Sequence, residues 1–156
     1  MEMTIVYKNT ITADEVNAIR KSMGWRQIHP EQQKANIAGY AFLISVYDSD
    51  TAIGIAGLRW NGGIAADVNI MLVPEYKNQG IEQECISRIF DFLRGKLKPG
   101  FAIQVDIYVQ TGEEEMYETL GFRYITPENR GIAMQICLTN QIELTDKMFK
   151  QTGYEE

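Results

Sequence analysis

Histidine and cysteine are nearly missing from this chain: one histidine, His29, and two cysteines, Cys85 and Cys137, in 156 residues. That leaves little for a zinc site, and neither cysteine lies in a Cys-x-x-Cys pair. Two unpaired cysteines fit a reducing, intracellular compartment, where both serve as small buried apolar residues. The single histidine has no nucleophile elbow around it, so a Ser/His/Asp hydrolase has no footing and His29 reads as a loop residue. No Gly-x-Gly-x-x-Gly follows the first predicted strand, which sets aside a dinucleotide-binding fold. Long apolar runs are absent too, so no bilayer span is expected. Met1-Glu2-Met3-Thr4 lacks the charged-then-apolar signature of a signal peptide, and the expected address is the cytoplasm. Basic residues are the minority, 15 Lys and Arg against 21 Asp and Glu, for a formal net charge of −6. Neither nucleic acid nor a membrane surface is therefore expected as a partner. An anionic ligand is not excluded, because N–H groups at a helix start hold phosphate without basic side chains.

What is present is ordinary globular material: 45% hydrophobic and 23% charged residues. The length predicts a single domain over 1–156, with an irregular tail from about residue 140. Thr4 to Tyr7 reads as a first strand. Thr12, followed three residues on by Glu15, is a capping box, so a helix starts there with Val16, Ile19 and Met23 as its buried stripe. Gly24 is placed to end it. After a loop from Trp25, a second helix runs from Pro30 to Ala38. Three strands follow at Ala41 to Tyr47, Ala52 to Trp60 and Ala66 to Val73, joined through Asp48-Ser49-Asp50 and Asn61-Gly62-Gly63. Pro74 ends this antiparallel meander. Then the period changes: Ile81, Cys85, Ile86, Ile89, Phe90 and Leu93 line one helix face. Phe101 to Val109 is a strand, Glu113 to Leu120 a short helix stopped by Gly121, and Phe122 to Ile125 with Ala133 to Thr139 a final hairpin. The class is mixed α/β.

Chemistry concentrates in Leu72-Val-Pro-Glu-Tyr-Lys-Asn-Gln-Gly-Ile-Glu-Gln83. A strand ends, proline breaks the ladder, and a polar turn opens a helix near Gly80. Orphan N–H groups at such a start form an anion site, and Gly80 lets backbone approach a ligand. This supports a pyrophosphate cradle without choosing among phosphate ligands. The bland reading is that any strand–turn–helix junction carries a glycine.

The same segment resembles motif A of the GNAT N-acyltransferase superfamily. Met116-Tyr-Glu-Thr-Leu-Gly-Phe122 resembles that family's Tyr-x-x-Leu-Gly-Phe segment, and Ile19-Arg-Lys-Ser-Met-Gly-Trp25 resembles the first helix of a bacterial subgroup that ends in Gly-Trp. Pro127-Glu-Asn129, with Gly131 and Met134, is similar to the same subgroup after its Gly-Phe. The resemblance covers about Ile11 to Leu138. It implies a GNAT-like fold: a central, mostly antiparallel sheet with splayed middle strands, flanked by helices. It implies acetyl transfer from acetyl-CoA, as cosubstrate and without metal, to a small-molecule or peptide amine in a ternary complex. A homodimer is also implied.

Carried onto this chain, the backbone of Leu72 and Val73 would pair with the pantetheine arm, and Lys77, Asn78, Gln79, Gly80, Ile81 and Glu82 would hold the pyrophosphate. Tyr117 matches the tyrosine acid that protonates the leaving thiolate; an aromatic packing residue is the plainer alternative. Asp67 is the first choice of base, acting through water near Asn69, with a turn or cap role beside it. Trp25 would wall the acceptor pocket or simply pack. Three positions depart from the pattern. Lys77 replaces Gln or Arg; Gln110 stands where an Asn often contacts the cofactor arm; and Glu82 stands where the family has Gly or Ala. A carboxylate there would face the pyrophosphate, so either it swings outward, or coenzyme A binds weakly, or activity is lost. The alternative function is thus a catalytically impaired acyl-CoA-binding module.

Overall fold

The computed structural model describes residues 2–138. By its internal contacts the chain divides into two compact units, 1–108 and 109–156.

The first unit holds β1 (Ile5–Lys8), α1 (Ala13–Ser22), α2 (Pro30–Ala38), β2 (Phe42–Asp48), β3 (Thr51–Trp60), β4 (Ala65–Leu72), a 3-10 turn (Pro74–Tyr76), α3 (Ile81–Arg94) and β5 (Gln104–Ile107). The sheet order is β1-β2-β3-β4-β5. All pairs are antiparallel except β4 with β5. β3 is buried without interruption from Ile53 to Leu58, the signature of a strand covered on both faces. On one face Val16 and Ile19 of α1 pack against Ile55 and Met71. On the other lies α3, whose buried stripe is Ile81, Cys85, Ile86, Ile89 and Leu93; its Phe92 ring stacks on Phe42 with centroids 4.6 Å apart.

The helix ends follow the local chemistry closely. The Thr12–Glu15 capping box forms in both directions, at 3.1 and 3.0 Å. At the far end of α1, Gly24 (φ 74°) donates its N–H to the Lys21 carbonyl and Trp25 donates to the Arg20 carbonyl. This is a Schellman stop, which the αL freedom of glycine makes inexpensive. His29 caps α2, its Nδ1 accepting from the Glu31 N–H at 3.2 Å. Buried Gln33 and Asn17 tie the intervening loop to α1 through Ile28, whose carbonyl and N–H both bond the Asn17 side chain.

The second unit, over its described residues, holds α4 (Glu114–Thr119) and α5 (Pro127–Arg130). Gly121 (φ 102°) and Phe122 close α4 with the same stop, donating to the carbonyls of Glu118 and Tyr117.

Two expectations change. β5 is shorter than Phe101 to Val109, because Phe101 still belongs to a turn (N–H to the Lys98 carbonyl) and pairing begins only where Gln104 meets β4. The final hairpin is not formed among the described residues: Phe122 to Ile125 and 133–138 make no ladder, and Thr139 lies outside them. A lone hairpin is marginal without a third strand or a packed face, and Tyr124, Ile132, Met134, Ile136 and Leu138 are exposed. The expected tail from about residue 140 also lies outside the described residues.

Candidate functional site

β4 keeps its neighbour on one side to its end. Leu72 pairs with Gly54, and the Val73 N–H donates to the Ile53 carbonyl at 2.8 Å. On the other side the ladder to β5 stops at Val68 and Ile107. β5 itself ends there, and no other strand among the described residues pairs with that edge of Asn69 to Leu72. Antiparallel residues alternately point their N–H and C=O at the partner and away from it. Val73 points at β3, so Leu72 and Ile70 point toward the opposite side, beyond the end of the β5 ladder. The Ile64 carbonyl, in the same parity, accepts from the Gln104 N–H of β5, as this alternation requires. The backbone groups of Val73 are engaged within the chain: its N–H goes to Ile53 and its carbonyl accepts from Tyr76 at 2.9 Å. Ile70, not Val73, accompanies Leu72 on the open edge.

Past the strand, the turn is anchored by Tyr76, whose hydroxyl donates to Asp48 Oδ2 at 2.6 Å. That bond, with a second from the Thr4 N–H, holds the Asp48 carboxyl below its ordinary range; the same bond pushes the Tyr76 phenol up. Asn78 (φ 63°) and Gly80 (φ 82°) are left-handed, a conformation Asn and Gly tolerate. Gly80 is the N-cap of α3 and supplies no side-chain acceptor. The first bond inside the helix is Glu84 N–H to the Gly80 carbonyl, 3.1 Å, so Ile81, Glu82 and Gln83 have no acceptor within it. A left-handed residue followed by right-handed ones turns successive N–H groups into one concavity, an anion nest with the positive end of the helix behind it. The Gln79 side chain folds back on the Glu75 carbonyl, at 3.3 Å.

Glu82 does not swing outward. Its residue is 4% exposed and its carboxylate lies 3.5 Å from the Lys77 ammonium. An acidic group in the first turn suits the helix dipole, and burying it requires a cation nearby. Lys77, expected as a partner for phosphate, is engaged by the chain's own carboxylate.

Asp67 is paired as well. Its Oδ1 accepts from Arg59 Nε at 2.8 Å across the β3–β4 ladder, and that bond is the main cause raising the Arg59 pKa. Asp67, the candidate base, is thus held by Arg59. Asn69, the first residue beyond the β5 pairing, donates from Nδ2 to the Tyr40 hydroxyl at 3.3 Å. The Tyr40 ring packs so close to Gly57 that a Cβ there would clash with it. Trp25, half-buried, packs against the cluster of Val16, Ile19, Ile55 and Met71, with the Arg20 guanidinium 5.4 Å from its ring.

In the second unit, Gln110 is half-buried and its carbonyl accepts from the Glu113 N–H. Tyr117 is buried, its ring edge-on to Phe122 at 6.0 Å. Tyr117 and Phe122 occupy the two positions whose contact accompanies a Schellman stop. The Tyr-x-x-Leu-Gly-Phe spacing therefore has a structural reason of its own.

Sequence reading missed Gln83, whose N–H belongs to the same helix start, and Ile70, which strand alternation could have found once the register was known. It also missed the Tyr76 anchor, for which no local signal exists. Cys85 is buried and its thiol is pushed up to about 12 by desolvation, so it is no nucleophile. Among the described residues no group of His, Cys, Asp and Glu is gathered to hold a metal, and no helix is long and apolar enough to cross a membrane. Taken together, the first unit can hold an elongated ligand with amide-like groups along its arm and an anion at one end.

By sequence, no family model and no curated protein matches the chain. By structure, it is similar to a Staphylococcus aureus protein described as a probable acetyltransferase (TM-score 0.74, 17% identity, covering 85% of this chain and all of that one). It is similar to a GNAT-family acetyltransferase of Streptococcus pneumoniae (TM-score 0.66, 17% identity, 90% and 100% covered). A third match is AAC(6')-Iy in complex with a bisubstrate analogue, CoA-S-monomethyl-acetylneamine (TM-score 0.58, 14% identity, 90% and 100% covered). At such identities the likeness speaks for the fold.

Proposed function

We propose that this chain, which has the GNAT acetyltransferase fold, is an N-acyltransferase that moves an acetyl group from acetyl-CoA to a primary amine. The observation that carries the reading is the β4 edge at Ile70 and Leu72, past the end of the β5 ladder and followed by the left-handed Gly80 turn. An extended pantetheine arm adds to that edge like a strand, through the backbone of Leu72 and Ile70. The N–H groups of Gly80, Ile81, Glu82 and Gln83 take the pyrophosphate, with Asn78 and Gln79 shaping the turn. The fit is good for the arm and for the nest, and poor at Glu82, which brings negative charge to the phosphate end.

Acetyl-CoA supplies an activated acyl group; the rest falls to the chain. The acceptor must present a neutral amine, so a base has to take its proton, and an acid must give one to the departing thiolate. We assign the acid to Tyr117, on the likeness of its segment to the family motif. The base is proposed near Asp67 through water, with Arg59 fixing that carboxylate. Gln110 is proposed to contact the cofactor arm, and Trp25 to contribute its exposed side to the acceptor pocket. That AAC(6')-Iy is seen with a coenzyme A-linked amine supports a ternary complex. Acceptors in range are small-molecule and peptide amines.

One observation favours a second reading. The pair of Lys77 with buried Glu82 suits a module that binds acyl-CoA weakly without turnover. Calorimetric titration with acetyl-CoA followed by a thiol-release assay over a panel of amines separates the two. Transfer is expected, and Tyr117→Phe should lower kcat by about a hundredfold, the lower range for a lost general acid, with coenzyme A affinity kept. Binding without release for any amine would favour the module; full activity in Tyr117→Phe would remove Tyr117 as the acid.

A further inference from the structure

We infer that Glu82 sets the affinity of this site for its phosphate-bearing ligand, as a built-in anion that competes with phosphate for Lys77 and for the start of α3. The inference rests on the acyl-CoA reading above and deepens it. Glu82 occupies the first turn of α3, the same turn whose N–H groups form the nest. Its side chain is 5% exposed and sits 3.5 Å from the Lys77 ammonium. Lys77 is only partly accessible, with 21% of its side chain exposed. One ammonium carries one positive charge. Any phosphate drawn to it shares that charge with a carboxylate already in place, and where water is scarce the two anions repel more strongly than at a surface.

The neighbouring acid makes an internal comparison. Glu84 lies in the same turn, but its side chain is 45% exposed and bonded at 2.9 Å to Arg88, one helical turn on. It contributes the same charge to the molecule, screened by solvent. If net charge alone governed the site, the two glutamates would count equally. The geometry says they do not. The penalty must also scale with the ligand's own charge. Coenzyme A, with its pyrophosphate, is opposed by Glu82; pantetheine, which carries the same arm without phosphate, is not. Glu82 thus separates arm recognition on β4 from phosphate recognition at α3, and favours acyl carriers with less negative charge at the nest.

The test is calorimetric titration of wild type, Glu82→Gln and Glu84→Gln with coenzyme A and with pantetheine, each protein first shown folded by its thermal melt. Glutamine keeps the volume and the hydrogen-bonding oxygen of Glu82; should it unfold the chain, Glu82→Ala replaces it. The expected result is that Glu82→Gln binds coenzyme A about tenfold tighter than wild type, a gain modest for removing one partly screened charge repulsion. Pantetheine should bind both proteins equally, and Glu84→Gln should match wild type. Equal or weaker coenzyme A binding by the Glu82 variants would overturn the inference, as would an equal gain from Glu84→Gln. If no protein binds either ligand, the acyl-CoA reading itself falls, a different outcome from unchanged binding.

Discussion

Gly80→Ala isolates the backbone turn on which the nest depends. A Cβ built on Gly80 meets nothing within 4 Å, so the substitution introduces no clash. Its cost is conformational: at φ 82° an L-residue pays about 1–2 kcal/mol. Loss of glycine's freedom in the unfolded chain returns about 0.4–1 kcal/mol. The net destabilisation should be about 1 kcal/mol, which for a domain of this size lowers Tm by about 2–4 °C. Asparagine visits the left-handed region more readily, so Gly80→Asn should melt closer to wild type. Gly24 provides the control, being left-handed (φ 74°) with nothing within 4 Å of its Cβ. Gly24→Ala should lose similar stability while keeping coenzyme A affinity, whereas Gly80→Ala should lose both. Circular-dichroism melts and calorimetric titration read the two effects. If Gly80→Ala melted with wild type and bound coenzyme A unchanged, the left-handed turn would be irrelevant to the site.

Two further predictions concern ionisable groups. Burial opposes ionisation of Glu15, yet bonds from the Thr12 N–H and hydroxyl and from Tyr47 hold its carboxyl below the ordinary value. A depressed folded pKa means stability present above the unfolded value and lost as pH falls through the folded one. Denaturant midpoints should therefore drop as pH falls below the ordinary 4.5, and Glu15→Gln should flatten that limb; an identical limb in the variant would contradict the bonding. Cys85, its thiol pushed up to about 12 by burial, carries little thiolate at pH 8. In a Cys137→Ser background it should resist a thiol reagent until denaturant is added, and fast labelling of the native protein would contradict its burial.

How far the sequence carries is clearest where chemistry is local. The Thr12–Glu15 box, the stops at Gly24 and Gly121 and the proline start of α2 are written in adjacent residues, and each appears where expected. The meander was legible because the buried strands alternate or run apolar between turn residues. Features that depend on distant partners were not. The length of β5 is set by where β4 runs beside it. Asp67 answers to Arg59 across a ladder. The C-terminal apolar alternation looks like strand, but alternation describes a face, and a strand also needs a partner for its backbone.

Amide-resolved NMR titration with coenzyme A reads the β4 edge and the α3 start in one experiment. The N–H resonances of Ile70, Leu72, Gly80, Ile81 and Gln83 should shift together and saturate at one concentration, while that of Val73, already bonded to Ile53, moves little. Coenzyme A that leaves those amides unmoved, or moves a different part of the sheet, would contradict the proposed site.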